Sequence, residues 1–235
     1  MKVRIKFAKC GVMKFIGHLD MMRYFQKAMR RADIDIAFTE GFSPHMIMSF
    51  ALPLGVGVTS SGEYVDIEMR TPLSSAEAVR RLNSVMVEGV KVLSFRRIEE
   101  GKASKAMSLV AAADYTVSFR DGTALPKNWE DRVPEFLALK QINVLKKTKK
   151  SEKEENIRPL IYRMDASAGA VHMTVAAGSA ANLKPELVME ALASFLTCEF
   201  PKHCLLIHRD ELYADLGEDE RTLVSLEDLG EEIGT

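Results

Sequence analysis

Apolar residues at Leu19, Met22, Phe25, Met29 and Ala32 recur at three- and four-residue intervals, while Arg23, Lys27, Arg30 and Arg31 fall between them. That spacing predicts an amphipathic helix over residues 17–32 with a cationic outer side. Before it, charged residues alternate with Val3, Ile5 and Phe7, the period-2 pattern of a half-buried strand. Short extended segments are expected at 34–38, 46–52 and 63–69. A second helix is expected at 75–87, opened by the capping-box spacing Ser74-Ser75-Ala76-Glu77 and carrying Val79, Leu82 and Met86 on one side. A strand at 90–95 closes this half.

The same order then repeats. Strand 114–119 leads to a helix at 129–139 and an extended run at 142–148, and strands follow at 157–164 and 171–176. A helix at 185–196 carries Leu187, Val188, Ala191, Leu192 and Phe195, and a last strand starts at 205–207 and is prolonged toward Tyr213. Two β-α-β-β-α-β series in tandem predict an α+β protein of two ferredoxin-like modules, each an antiparallel sheet with helices on one face. The expected units are 1–100, 107–213 and an acidic tail at 214–235, with a polar joint at 99–106.

Composition narrows the class. With 47% hydrophobic residues the chain can build real cores, and no apolar run approaches the roughly 18 to 20 residues needed to cross a bilayer. Cys10, Cys198 and Cys204 are odd in number and lack a CxxC spacing, which argues against a disulfide framework or a zinc or iron–sulfur site and for a reducing cytoplasm. Net charge is −1, but the residues after Arg209 hold ten acids and one base, which leaves +8 for the rest. A basic body with an acidic end suits a polyanionic partner, the acids competing for the basic surface or solvating the terminus.

The chemistry-bearing residues gather in 17–64. His18 and Asp20 fall in the first turn of the first helix, where an acid complements the positive end of the dipole. Gly41, Phe42, Ser43 and Pro44 form a turn ahead of His45. His18 and His45 are candidates for an acid–base pair or half a metal site, though no third ligand is evident. Arg23, Lys27, Arg30 and Arg31 are candidate phosphate contacts, the guanidinium fork being matched to that geometry. Lys146, Lys147, Lys149 and Lys150 lead, with Lys153, Arg158 and Arg163, into an expected basic hairpin. Ser179, Asn182 and Lys184 precede a helix start, another geometry open to anions. Phe42, Tyr64 and Trp129 either stack on bases or belong to the core. No P-loop, dinucleotide fingerprint or catalytic Ser-His-Asp spacing is present.

The segments Phe15-Ile16-Gly17-His18-Leu19-Asp20, Arg30-Arg31-Ala32, Gly41-Phe42-Ser43-Pro44-His45, Ser49-Phe50-Ala51-Leu52-Pro53-Leu54 and Gly62-Glu63-Tyr64 resemble the radical-SAM-linked protein family. Arg158-Pro159-Leu160-Ile161 and Asn182-Leu183-Lys184-Pro185-Glu186 continue the likeness, and Met46-Ile47 depart from the Pro-Lys usual there. The resemblance implies a bacterial domain fused to or encoded beside a radical SAM protein with a cobalamin-type domain. That partner would carry SAM and an iron–sulfur cluster, and this chain would bind no cofactor. A looser likeness is to the RAMP proteins, RNA-processing proteins of tandem ferredoxin-like modules. The expected function is an RNA-binding, substrate-presenting protein in tRNA or rRNA modification. Two alternatives are a metal-independent endoribonuclease using His18 or His45, and an interaction module without RNA affinity.

Overall fold

A computed structural model describes residues 1–101, 105–123, 126–147, 152–201 and 203–234, without the side chains of 146, 147, 152 and 153. In chain order the first half holds β1 (Lys2–Lys9), α1 (His18–Arg31), β2 (Met48–Phe50), β3 (Thr59–Glu68), α2 (Ser75–Val85) and β4 (Val90–Arg97). The second holds α3 (Ala106–Leu109), β5 (Val110–Phe119), α4 (Val133–Leu137), β6 (Asn143–Lys147), β7 (Glu152–Asn156), β8 (Ile161–Ser167) and β9 (Ala170–Ala176). It continues with α5 (Pro185–Phe195), β10 (Leu205–Asp215), β11 (Leu223–Ser225) and β12 (Glu231–Glu232). The result is a mixed α+β protein with one large, mostly antiparallel sheet. Where the sequence suggests two sheets, the strands join into a single ten-stranded one, ordered β12-β4-β1-β3-β10-β5-β9-β8, with β2 on β3 and β11 on β10. β6 and β7 form a separate hairpin. No described helix is long and apolar enough to span a membrane.

The join is the parallel contact of β3 with β10, where Thr59 and Ser60 lie opposite His208 and Arg209. Three consecutive residues make it. A Cβ on Gly62 would sit 2.6 Å from the Asp210 carbonyl oxygen, so only glycine lets the strands close. Glu63 accepts from Arg209 Nε at 2.9 Å, and the Tyr64 hydroxyl donates to Glu211 at 2.5 Å. The Gly62-Glu63-Tyr64 motif is thus the seam between the halves.

β1 shows why the sheet has two different faces. Val3, Ile5 and Phe7 alternate toward α1 and α2 and join one apolar cluster with Phe25, Met29, Phe50 and Leu82. The residues between them, Arg4 and Lys6, point to the other face, and Arg4 is buried there. The C-terminal segment covers it. Arg4 grips Asp66 through Nε and Nη2 at 2.8 and 3.0 Å and donates to the Leu226 carbonyl at 3.1 Å. Lys6 meets Glu211 at 2.6 Å and Glu227 at 2.8 Å, and Arg97 meets Glu231 at 2.6 Å. Leu226 is fully buried in the second cluster with Leu212, Val175 and Leu192. The expected solvated acidic tail is therefore built into the sheet, because its acids neutralise strand cations and Leu226 belongs to a core.

Other expectations shift for local reasons. Met21 and Ala28 share the buried side of α1 with Phe25 and Met29, Met22 packs at its margin, and Leu19 points outward. The Ser74 hydroxyl caps α2 through Glu77 N–H at 3.4 Å, while the Glu77 carboxylate turns forward to Arg80 and Arg81. Strand 157–164 begins only at Ile161, since Pro159 lacks a donor and Arg158–Leu160 form a 3-10 turn. Residues 34–38 make only isolated bridges, Ile36 to Met69 and Phe38 to Met46.

Candidate nucleic-acid interface

α1 starts at His18 because Gly17 stays extended before it. Asp20 sits in the first turn as expected, and its contact with Arg23 at 3.3 Å is well exposed, which makes it a minor contributor to stability. The His18 ring meets Phe50 edge-on at 5.3 Å, and Phe50 in turn packs on Phe7 and Phe25. His18 thus caps one end of the apolar cluster.

His45 has a different setting. Its Nδ1 lies 3.1 Å from the Thr39 hydroxyl, its backbone N–H donates to that oxygen at 3.1 Å, and Thr39 N–H donates to the His45 carbonyl at 2.9 Å. These bonds pin the ends of the 40–44 loop, and Gly41 takes φ 110°, a conformation glycine allows freely. The cavity His45 lines also holds Met46, Met48, Ile98 and Lys105, and His18 is not among its residues. Among the described residues no cluster of three or more His, Cys, Asp or Glu is placed to hold a metal.

Phe42, Ser43 and Pro44 are exposed at the tip of the pinned loop, and Phe42 is wholly so. Tyr64 and Trp129, the other aromatic candidates, are buried core residues. Lys27, Arg30 and Arg31 are exposed on α1, and among the described residues none of them is ion-paired; Arg30 edges a depression of about 570 Å³ with Asp33, Asp35 and Arg81. Lys149 lies outside the described residues, as do the side chains of Lys146 and Lys147, whose backbones belong to β6. Arg158 is spent within the fold, donating to the Leu137 carbonyl at 2.8 Å and the Ile161 carbonyl at 3.1 Å. Ser179, Asn182 and Lys184 are exposed ahead of α5. Asn182 and Lys184 edge a cavity of about 140 Å³ that also reaches Leu52, Pro53, Tyr115 and Arg209.

Two polar groupings escaped the sequence reading. The first is buried at the seam. Arg209 donates to Glu63 and, through Nη2, to the Leu52 carbonyl at 2.8 Å, and Lys9 donates to the Ile16 carbonyl at 2.6 Å. Burial alone would lower the Arg209 pKa, but Glu63 and Tyr115 outweigh it and hold it raised. For Lys9, burial wins and lowers the pKa, with Glu63 opposing and Arg209 assisting. Two buried cations thus share one buried carboxylate. The signal was present: Lys9 follows Ile5 and Phe7, and Arg209 follows Ile207, on the inward register of their strands.

The second lies on the sheet face away from α5. Thr59, His208, Thr116, His172 and Asp165 are register partners in one row across β3, β10, β5, β9 and β8. His208 is held between the Thr59 hydroxyl at 2.8 Å and the Ser61 hydroxyl at 2.7 Å. The Thr116 hydroxyl donates to Asp210 at 2.8 Å and lies 3.1 Å from His172 Nδ1. With strands about 4.8 Å apart, the two imidazoles sit roughly 10 Å apart at Cα.

Known proteins add the following. No curated protein matches the chain. Among solved structures, a chain of the crystal structure of a Cbf5-Nop10-Gar1 complex aligns with a TM-score of 0.47 and 10% identity, over 89% of this chain and 48% of that one. The chain therefore spans about half the length of that neighbour. The model of a family described as an uncharacterized protein conserved in bacteria (DUF2344) matches residues 2–185, most of the sequence, and the chain belongs to that family.

Proposed function

We propose that the protein binds RNA and presents it to a radical SAM partner for modification, the partner supplying the reactive chemistry. The observation that carries the binding half of this reading is Phe42. An aromatic ring held wholly in solvent by a loop pinned through Thr39 and His45 gains nothing for folding, and it is suited to stacking on an unpaired base. The unpaired Lys27, Arg30 and Arg31 of α1 supply the phosphate contacts. The partnership is supported by the resemblance of the Gly17–Asp20 and Gly41–His45 motifs to radical-SAM-linked proteins. We read each half as a ferredoxin-like module, since β4-β1-β3-β2 and β10-β5-β9-β8 follow the same 4-1-3-2 order.

The test is titration of the purified chain with a single-stranded and a structured RNA. Base stacking is worth about 1–3 kcal/mol, so Phe42→Ala is expected to weaken binding about tenfold or more while leaving the melting temperature unchanged. Affinity unaltered by Phe42→Ala refutes the stacking role, and absence of binding at low salt refutes the reading. A second reading, a metal-independent endoribonuclease, draws on the His208–Asp210–Thr116–His172 array more than on His18 or His45. Cleavage by the isolated chain that His172→Ala or His208→Ala abolishes would establish it in place of the first.

A further inference from the structure

Apart from Phe42, the large apolar side chains most exposed among the described residues are not scattered. Val12 is 75% exposed, Phe15 63%, Leu19 66% and Val56 66%. The first three lie on consecutive turns, the 3-10 turn Gly11–Phe15 and the start of α1. The loop bearing Val56 is tied to them by a hydrogen bond from Gly57 N–H to the Lys14 carbonyl at 2.8 Å. Phe15 and Val56 form one wall of a groove of about 650 Å³ along the seam. Phe200, Pro201, Leu205 and Ile207 line the groove further in. Contiguous apolar surface of this kind on a folded chain marks a contact site, whereas isolated exposed apolar residues need no explanation.

The charges along the groove identify what it receives. Glu186 and Glu190 stand one helical turn apart on α5 and both line it. Lys14 lines it from the opposite half, its amine 5.3 Å from the Phe15 ring centre. Among the described residues none of these three charges has an ion-pair partner. Arg120 and His203 line the groove too, with Arg120 turned onto the His203 carbonyl at 2.8 Å, so the α5 edge carries the anionic charge, and its two carboxylates attract cations spaced one turn apart. That spacing belongs to a helix, whose residues four apart share a face. We propose that this groove docks an amphipathic helix of a protein partner, one with an apolar stripe against Phe15, Val56 and Leu205 and with Lys or Arg residues one turn apart against Glu186 and Glu190. The inference goes beyond the RNA reading and rests on it only for the partner's identity.

The test uses the full chain and two synthetic helical peptides with the same leucine stripe, one flanked by lysines one turn apart and one by glutamates in their place. Fluorescence anisotropy is expected to show the lysine peptide binding at least about tenfold tighter, since like charges set against each other are strongly disfavoured. Glu186→Lys with Glu190→Lys should invert the preference, and Glu186→Gln with Glu190→Gln should erase it, which keeps the test open if the reversed variant misfolds. Phe15→Asp should lose both peptides with no change in melting temperature. Equal binding of the two peptides, or none, overturns the proposal. So does a dimer by sedimentation that Phe15→Asp dissolves, because the occupant is then a second copy. RNA titration of Phe15→Asp separates the two readings: unchanged RNA affinity leaves the groove to the peptide, and lost RNA affinity assigns it to nucleic acid and overturns the proposal.

Discussion

Leu226→Ala is the perturbation that most directly tests how the C-terminal segment is built in. The side chain is fully buried and belongs to the same cluster as Leu212, Val175 and Leu192, so truncating it leaves a hole that close-packed neighbours fill only in part. Leu→Ala changes at such sites cost about 2–5 kcal/mol. The 226 backbone is held on both sides, donating to the Leu212 carbonyl at 3.1 Å and accepting from Arg4 at 3.1 Å, which limits collapse into the hole. A value of about 3 kcal/mol is therefore expected. For a chain of this size each kcal/mol moves the midpoint by about 2–4 °C, so the variant should melt about 6–12 °C below the parent.

The assay is thermal unfolding followed by far-ultraviolet circular dichroism, with calorimetry to check that a single transition is seen. Removal of everything after Asp215 should be worse than Leu226→Ala. It also strips Glu227 from Lys6, Glu231 from Arg97 and the Ser75 partner at Ile233, leaving Arg4 uncovered beside Asp66. A truncated chain that melts with the parent would show that the segment is detachable and would refute this account of the sheet.

Three further outcomes follow from the charges. Glu63→Gln leaves Arg209 and Lys9 without their shared carboxylate and should cost about 3–5 kcal/mol in denaturant titrations, Arg209→Met should cost less because Lys9 still faces Glu63, and the double variant should cost less than the two singles summed. Single losses that simply add would refute the coupling. Burial alone would raise the Glu227 carboxyl, but hydrogen bonds from Lys6 and Ser94 and the charges of Lys6 and Arg96 leave its folded pKa lowered. A lowered carboxyl contributes stability above its unfolded pKa near 4.5 and loses it as pH falls through the folded value, so Glu227→Gln should flatten the acid limb of stability below about pH 4.5. Lys6, held raised by Glu211 and Glu227 against the burial that would lower it, contributes the opposite limb, fully present below 10.5 and lost at more alkaline pH, which Lys6→Met should remove.

The elements whose apolar period is clean were legible in the sequence. β1 runs over the expected residues, and α2 and α5 begin where their Ser74 cap and Pro185 place them. What was not legible is long-range. Nothing in a local pattern says that β3 lies beside β10 in parallel, because that contact is fixed by a glycine on one strand and an arginine 147 residues after it on the other. Acidic composition concealed Leu226, since one buried leucine among many carboxylates does not register as a period. On α1 the same three- and four-residue spacing admits two neighbouring faces, and Leu19 was assigned to the wrong one. His18 and His45 drew attention as a pair because both flank turns; the strands instead align His172 with His208, which are far apart in sequence.

The position of the acidic segment changes the electrostatic argument for RNA. Three of its carboxylates, Glu227, Asp228 and Glu231, are paired with Lys6, Arg96 and Arg97. By strand alternation Lys6 faces away from Phe7 and hence from the side on which α1 packs. Those three acids are therefore engaged elsewhere than at Lys27, Arg30 and Arg31, while Glu218, Asp219 and Glu220 stay exposed. Two consequences separate cleanly. Glu231→Gln should leave RNA affinity unchanged at every salt concentration, since the cation it frees, Arg97 on β4, is not one of the α1 residues assigned to phosphate. Arg30→Ala with Arg31→Ala should weaken binding for every sequence tested and reduce the slope of log affinity against log salt by about 1.4, at about 0.7 per single-strand phosphate contact. If Glu231→Gln tightens binding while the arginine pair is silent, the RNA lies on the sheet face beneath the C-terminal segment and α1 is only a solvated helix.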